Sequence, residues 1–231
     1  MKQLAENLWI VDGEAVPFFT LPYTTRMTIV RLSDGTLWVH SPIKLTPELQ
    51  TQVASLGEVR YLIAPNHLHH LFLLEWQQAY PQAQSFGTSE VQTKRPDLHF
   101  EQVFTPEFNA PWSADIAQLL FTGSHFMQEC VFFHQASGTL IVTDLIENFS
   151  PDAFNALQRL LARGAGILAP NGKMPLDWRL SFMFAKQQAR THLAKMLAWQ
   201  PQRIVMAHGV IVEQDAMAFL QKSFAWLDLH D

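Results

Sequence analysis

The sequence has a single cysteine, Cys130, which excludes an internal disulfide framework and favours a reducing compartment. It has no apolar run of the roughly 18 to 20 residues that a membrane span needs, so we expect no membrane partner. The segment from Met1 to Asn7 has no apolar stretch after Lys2, which predicts that a secretory signal is absent. Together these absences predict a cytoplasmic protein.

Charge is also scarce, and positive charge is in the minority. Only 16% of the residues are charged, and 16 Lys and Arg stand against 21 Asp and Glu, for a net charge of −5. The basic residues are scattered, whereas a phosphate backbone is bound by clustered Lys and Arg, so we expect no nucleic-acid partner. Hydrophobic residues make up 48% of the 231 residues, enough for a large core. We predict a single domain over residues 1–231.

The order of apolar runs and turn residues predicts mixed secondary structure. Hairpins are expected in the first forty residues, with a turn at Ser33 to Gly35. Strands are predicted at Tyr61–Ala64, Ile116–Phe121, Cys130–His134, Thr139–Asp144 and Arg203–Met206, of which the first and fourth are of the buried kind. Helices are predicted at about Thr46–Gly57, Leu71–Tyr80, Thr88–Lys94, Ser150–Arg163, Ser181–Trp199 and Glu213–Leu227. The pattern indicates an α/β (α+β) fold in which helices cover mixed sheets.

Polar side chains follow the carboxyl ends of four predicted strands, where functional groups collect in α/β sheets. These side chains are His67, His69, His70, His125, Asp144 and His208. Imidazole and carboxylate groups are the donors of zinc and iron sites that keep an open position for water. In an extended segment His67 and His69 point the same way, so both rings can reach one ion. His40 and His134, at the ends of apolar strands, are predicted to be buried structural residues.

This arrangement resembles the metallo-β-lactamase superfamily. His67 and His69 match the first two histidines of the family motif His-x-His-x-Asp-His, whereas Leu71 and Phe72 stand where its Asp and third His would be. The resemblance implies a four-layer αββα sandwich with two mixed sheets. It also implies a hydrolase of a small ester, lactone, thioester or phosphoester, with one divalent ion. Zinc is the expected ion and iron or manganese the alternative, and the implied ligands are His67, His69, His125, Asp144 and His208.

Three segments resemble more closely the DUF4336 branch of that superfamily. They are Pro65–Phe72, Glu129–His134 and Ser137–Asp144. In that branch Asn66, His69 and His70 are the dependable residues of the first motif, which leaves two registers open. Ligand chemistry favours the register with His67, His69 and His125, because Asn and Leu are poor zinc ligands. His70 or Asn66 is then expected to position water or substrate as the catalytic residue.

A second hypothesis follows from the two apolar residues in the first motif. Leu71 and Phe72 occupy positions where a two-metal enzyme needs charge. The chain could therefore be a metal-free member of the fold that binds a small molecule or acts as an interaction module. In both hypotheses the partner is a small-molecule substrate or ligand, and the oligomeric state is open. Metal content and the response of heat stability to added metal distinguish the two.

Overall fold

The computed structural model describes residues 1–18 and 21–227, whose strands form two sheets. The first sheet has seven strands in chain order. They are β1 (Lys2–Ala5), β2 (Leu8–Phe18), β3 (Leu21–Arg31), β4 (Leu37–His40), β5 (Val59–Ala64), β6 (Gln84–Gly87) and β7 (Gln102–Val103). The strands from β1 to β4 are antiparallel neighbours and those from β4 to β7 run parallel, so the sheet is mixed.

The second sheet has four strands in the order β11, β10, β9 and β8. Their ranges are β8 (Ile116–Phe121), β9 (Glu129–His134), β10 (Thr139–Ile141) and β11 (Arg203–Val205). The pairs β8–β9 and β9–β10 are antiparallel and the pair β10–β11 is parallel, so this sheet is mixed as well. The predicted pair of mixed sheets is confirmed.

Helices cover the outer face of each sheet. The α-helices of the described residues are α1 (Pro47–Ala54), α2 (Leu73–Ala79), α3 (Ser89–Lys94), α4 (Ala156–Ala165), α5 (Leu176–Ser181), α6 (Lys186–Ala198) and α7 (Ala216–Ser223), of which all but α4 cover a sheet. One apolar core joins α1, α2 and α3 to the first sheet, and another joins α5, α6 and α7 to the second. A third core, which includes Trp38, Ile63 and Phe132, lies between the two sheets. The layers therefore follow the predicted αββα order.

Two of the predicted helices begin several residues later in the structure than the sequence pattern predicts. The helix expected from Ser150 to Arg163 is α4, which begins after Asn155 because a capping box there satisfies its first N–H groups. It continues past Gly164 to Gly166, whose φ of +81° provides the left-handed end. The helix expected over Ser181–Trp199 is α6, which begins only at Lys186, because Ser181 is the last residue of the separate helix α5. No helix in the described part of the chain is both long and apolar enough to cross a bilayer.

His40 and Cys130 illustrate what fills the space between the sheets. His40 is buried, stacks on Trp38 with ring centroids 5.4 Å apart, and contacts the edge of Phe132. Its Nε2 atom has no hydrogen-bond partner among the described residues. Cys130 is a free thiol in the same core. Both positions are structural, as the sequence predicts for His40.

Stability is expected to fall as the pH drops below about 6.5, the ordinary pKa of histidine. Burial, and secondarily the neighbouring His69, lowers the pKa of His40 well below that value, so the folded chain excludes a proton that the unfolded chain binds. The unfolded state then holds more protons, and the free energy of unfolding decreases with decreasing pH. Melting temperatures between pH 7 and pH 5 test this. His40→Phe should make the dependence on pH shallower, and an unchanged slope would contradict the assignment.

Candidate metal centre

Three loops that follow strand ends bring polar side chains to one edge of the sandwich. Asn66 and His69 lie just after β5 of the first sheet, Asp144 follows β10, and His208 follows β11 of the second sheet. Strand ends are rigid anchors, so side chains on the loops directly behind them are well positioned. The candidate site therefore lies where the two sheets meet.

His69, Asp144 and His208 form the group in the described residues whose ligand atoms all lie within 4.8 Å of one another. Nε2 of His69 is 3.2 Å from Oδ2 of Asp144, and Nε2 of His208 is 3.1 Å from Oδ1. The two Nε2 atoms are themselves 3.2 Å apart. Asp144 and His208 are buried, and the side chain of His69 is nearly so. One carboxylate and two imidazoles thus converge on a single point.

The spacing and the hydrogen-bonding pattern of this group fit a divalent cation. Zinc–ligand bonds of about 2.0 to 2.1 Å in a tetrahedral site separate neighbouring donor atoms by about 3.3 Å, close to the spacing seen in this group. Nδ1 of His208 lies 2.6 Å from the carbonyl oxygen of Thr24, which can only accept, so Nδ1 carries the proton. In the neutral ring Nε2 then directs a lone pair at the Asp144 carboxylate. The Nε2 lone pair of His208 and the Asp144 carboxylate are then two hydrogen-bond acceptors that face each other. A cation bound between them would stabilise this arrangement.

Asn66 lies inside the site and connects its parts through hydrogen bonds. It is fully buried, and its Oδ1 accepts hydrogen bonds from the backbone N–H groups of Leu68 and His69. Its Nδ2 lies 2.7 Å from Oδ2 of Asp144 and 3.0 Å from Oε2 of Glu129. One amide therefore ties the histidine loop of the first sheet to the carboxylates of the second.

Glu129 holds the loop that carries Asp144. Its Oε1 accepts the backbone N–H of Thr143 at 2.8 Å, and its Oε2 accepts those of Asp144 and Leu145 at 2.9 and 3.1 Å. Burial, together with the charge of Asp144, raises the pKa of Glu129 to about 7, against the opposing effect of the hydrogen bonds. The sequence pattern predicted no role for Glu129. The signal present in the sequence was a charged residue directly before four apolar residues of the same strand.

The pKa of Asp144 is shifted in the opposite direction to the pKa of Glu129. Burial acts to raise the pKa of Asp144, but the neighbouring His69 and His208 outweigh it and hold that pKa well below its ordinary value. Asp144 is therefore ionised across the physiological range and supplies the negative charge of the site.

The sequence-predicted residues His67, His125 and His70 lie outside the group. Nδ1 of His67 is 3.2 Å from Oε2 of Glu90, and His125 is exposed on the loop between β8 and β9. The favoured set of His67, His69 and His125 is therefore not brought together. The reason is local: Asn66 Oδ1 binds two successive N–H groups and turns the chain, so the alternation of an extended segment does not apply.

His70 has surroundings of its own, next to the group. Nη1 of Arg95 lies 3.1 Å from its Nδ1, and its buried Nε2 has no partner among the described residues. Burial, with the nearby charges of Lys94 and Arg95, lowers the pKa of His70 to about 4. The ring is therefore neutral at neutral pH.

Comparison with known families gives one match. A domain of unknown function, DUF4336, matches residues 5–162, which include the loop of His69 and also Asp144. His208 lies beyond the matched range. No functionally curated protein matches the chain.

Solved structures show a similar fold throughout the chain. A metallo-β-lactamase from Pontibacter korlensis is 11% identical with a TM-score of 0.65, covering 98% of this chain and 97% of that one. The mono-zinc form of the metallo-β-lactamase FIM-1 from Pseudomonas aeruginosa is 9% identical with a TM-score of 0.65, covering 98% and 93%. Rubredoxin oxygen:oxidoreductase from Desulfovibrio gigas is 14% identical with a TM-score of 0.68, covering 98% of this chain and 61% of that one. At such identities the similarity establishes the fold.

Proposed function

Since this chain belongs to the DUF4336 family and has the metallo-β-lactamase fold, we propose that it is a metal-dependent hydrolase with one divalent ion. The substrate class we propose is a small ester, lactone, thioester or phosphoester. The convergence of His69, Asp144 and His208 on one point is the observation that carries the proposal. The mono-zinc form of FIM-1 supports a single-ion site within this fold.

Each ligand has a distinct part in holding the ion, for which zinc is the first choice and iron or manganese the alternative. His69 and His208 would supply ring nitrogens, and the ionised Asp144 would supply negative charge. A bound divalent ion would provide Lewis-acid activation of water and of a carbonyl or phosphoryl oxygen. Asn66 does not touch substrate in this proposal, because it is fully buried and its amide is engaged with Asp144 and Glu129. It is a positioning residue.

Of the two residues predicted to position water or substrate, His70 is the one that we propose to orient water. Its ring is neutral at neutral pH, and Arg95 holds its Nδ1 from one side. Its Nε2 is buried and has no partner among the described residues, so its remaining hydrogen-bonding capacity would serve an enclosed water molecule. We also propose a cytoplasmic location, which the single buried thiol of Cys130 supports.

Metal analysis of protein purified without a His tag or chelator tests the proposal. Near-stoichiometric zinc, iron or manganese is expected, together with hydrolysis in a screen of esters, lactones, thioesters and phosphoesters with each metal added. Protein that is free of metal, gains no heat stability from added ions and hydrolyses nothing would support the metal-free binding module instead.

Ser41→Ala is expected to lower metal affinity about ten-fold while leaving the fold intact. The Ser41 hydroxyl lies 2.6 Å from Nδ1 of His69 and fixes the orientation of that ring. Titration against a chromophoric chelator measures the change. Ser55→Ala, at an exposed helix end, is the matched control and should bind metal as the parent does. Equal affinity of the two variants would contradict the role of Ser41 in orienting His69.

A further inference from the structure

Helix α4 presents its apolar face to solvent. Leu157, Leu160 and Leu161 are 68%, 65% and 56% exposed, whereas Ala162 on the other side is buried. Spacings of three and four residues put the three leucines on one face of the helix. An amphipathic helix normally turns such a face to the core, where burial of the leucines is favourable. The reversed arrangement requires an explanation outside the fold.

Helix α5, which contacts α4, extends this apolar surface. Its Leu176 and Leu180 are exposed, and Met183 and Phe184 directly after it are exposed as well. Single exposed apolar residues are ordinary, whereas a concentration on two adjoining segments marks an interaction surface. We refer to the exposed apolar side chains of residues 157–184 as the leucine face.

Positive charge is concentrated in the segment of the chain that carries the leucine face. Residues 155–190 contain six Lys and Arg against one acidic residue, Asp177, although the whole chain has a net charge of −5. Arg163 is exposed. Arg159 donates to the carbonyl oxygens of Pro151 and Phe154, and Arg179 donates to that of Ala165. Carbonyl acceptors do not neutralise a guanidinium, and Asp177 partly offsets the charge of Arg179 alone, so the leucine face has a cationic border.

We propose that the leucine face docks reversibly on the surface of an anionic phospholipid membrane. Leucines entering the boundary between headgroups and acyl chains, with Lys and Arg beside anionic headgroups, are the contacts made by amphipathic helices that lie in the membrane plane. The sequence expectation of no membrane partner rested on the lack of a spanning run, which does not bear on surface binding. A second copy of the chain fits the leucine face less well than an anionic membrane does. Pairing the face with itself would bring two cationic borders together.

Flotation of the full chain with vesicles tests the proposal, which does not depend on the proposed hydrolase function. We expect binding to phosphatidylcholine vesicles containing about one third phosphatidylglycerol, and binding about ten-fold weaker or more to pure phosphatidylcholine. Added salt should weaken the binding, because it screens the attraction to anionic headgroups. Equal affinity for the two kinds of vesicle, or binding to neither, would overturn the proposal.

Variants of exposed residues separate the apolar from the charged contribution. The triple variant Leu157→Gln, Leu160→Gln and Leu161→Gln is expected to lose about ten-fold or more in vesicle binding. Arg163→Glu should lose about ten-fold, whereas the control Lys44→Glu, an equal charge change at an exposed site elsewhere, should bind as the parent does. Unchanged binding by the triple variant, or a dimer that this variant converts to monomer in light scattering, would overturn the proposal.

Discussion

Asp144→Asn is expected to lower the affinity for a divalent ion by about 100-fold or more, with a matching loss of metal-dependent hydrolysis. The substitution removes the negative charge of the group. The substitution also removes one ligand atom. Because Asn66 donates to Oδ2, the oxygen of the new amide takes the position of Oδ2. The new NH₂ group then replaces Oδ1, 3.1 Å from Nε2 of His208, and donates to the lone pair that an ion would need. Metal affinity by competition with a chelator is the measurement.

His67→Ala and His125→Ala are the informative controls for this result. The sequence pattern favours both residues as ligands, whereas the structure pairs His67 with Glu90 and leaves His125 exposed. Both variants should bind metal as the parent does, and His208→Ala should lose it as Asp144→Asn does. Loss of metal in His125→Ala with retention in His208→Ala would show that the ion is held by a different set of residues.

Glu129→Gln is expected to lower the free energy of unfolding by about 3 kcal/mol, although the side chains have nearly the same shape. Both carboxylate oxygens of Glu129 accept backbone N–H groups. Glutamine offers one oxygen, so its NH₂ group must face a buried N–H, most favourably that of Thr143. For a chain of this length the loss corresponds to a decrease of about 10 °C in melting temperature. Urea denaturation and thermal melts measure both quantities.

Glu101→Gln makes the same chemical change at an exposed position and is the matched control. Its stability should stay within about 0.5 kcal/mol of the parent. If Glu129→Gln were as stable as Glu101→Gln, the hydrogen bonds to the Asp144 loop would not be holding that loop in place.

The fold was largely predictable because its signals are local. Tyr61–Ala64 is a continuous apolar run, and Ile116–Phe121 is apolar except for Gln118. Thr46 caps α1 through its side chain as the pattern Thr-Pro-Glu predicts. The resemblance to metallo-β-lactamases supplied the layer order. The predicted helix boundaries were wrong where a specific side-chain contact sets the first residue of a helix, as the capping box at Asn155 does for α4.

The candidate site was predictable only in part, because side-chain direction in a loop depends on contacts distant in sequence. His69, Asp144 and His208 were all identified as ligands, but their grouping without His67 depends on the turn that Asn66 forms. Asn66 is in turn held by Glu129, 63 residues away, a contact that no local pattern encodes. Leu71 and Phe72 depart from the family motif, and neither belongs to the group.

The two sheets contribute unequally to the ligand group, and this has a mechanical consequence. His69 comes from a loop of the first sheet, whereas Asp144 and His208 come from loops of the second. A bound ion would therefore act as a clamp between the two layers, because the group takes donors from both. Separating the layers would release the ion, so the binding free energy would oppose the opening of the sandwich, by about 2.7 kcal/mol at an ion concentration 100 times the dissociation constant.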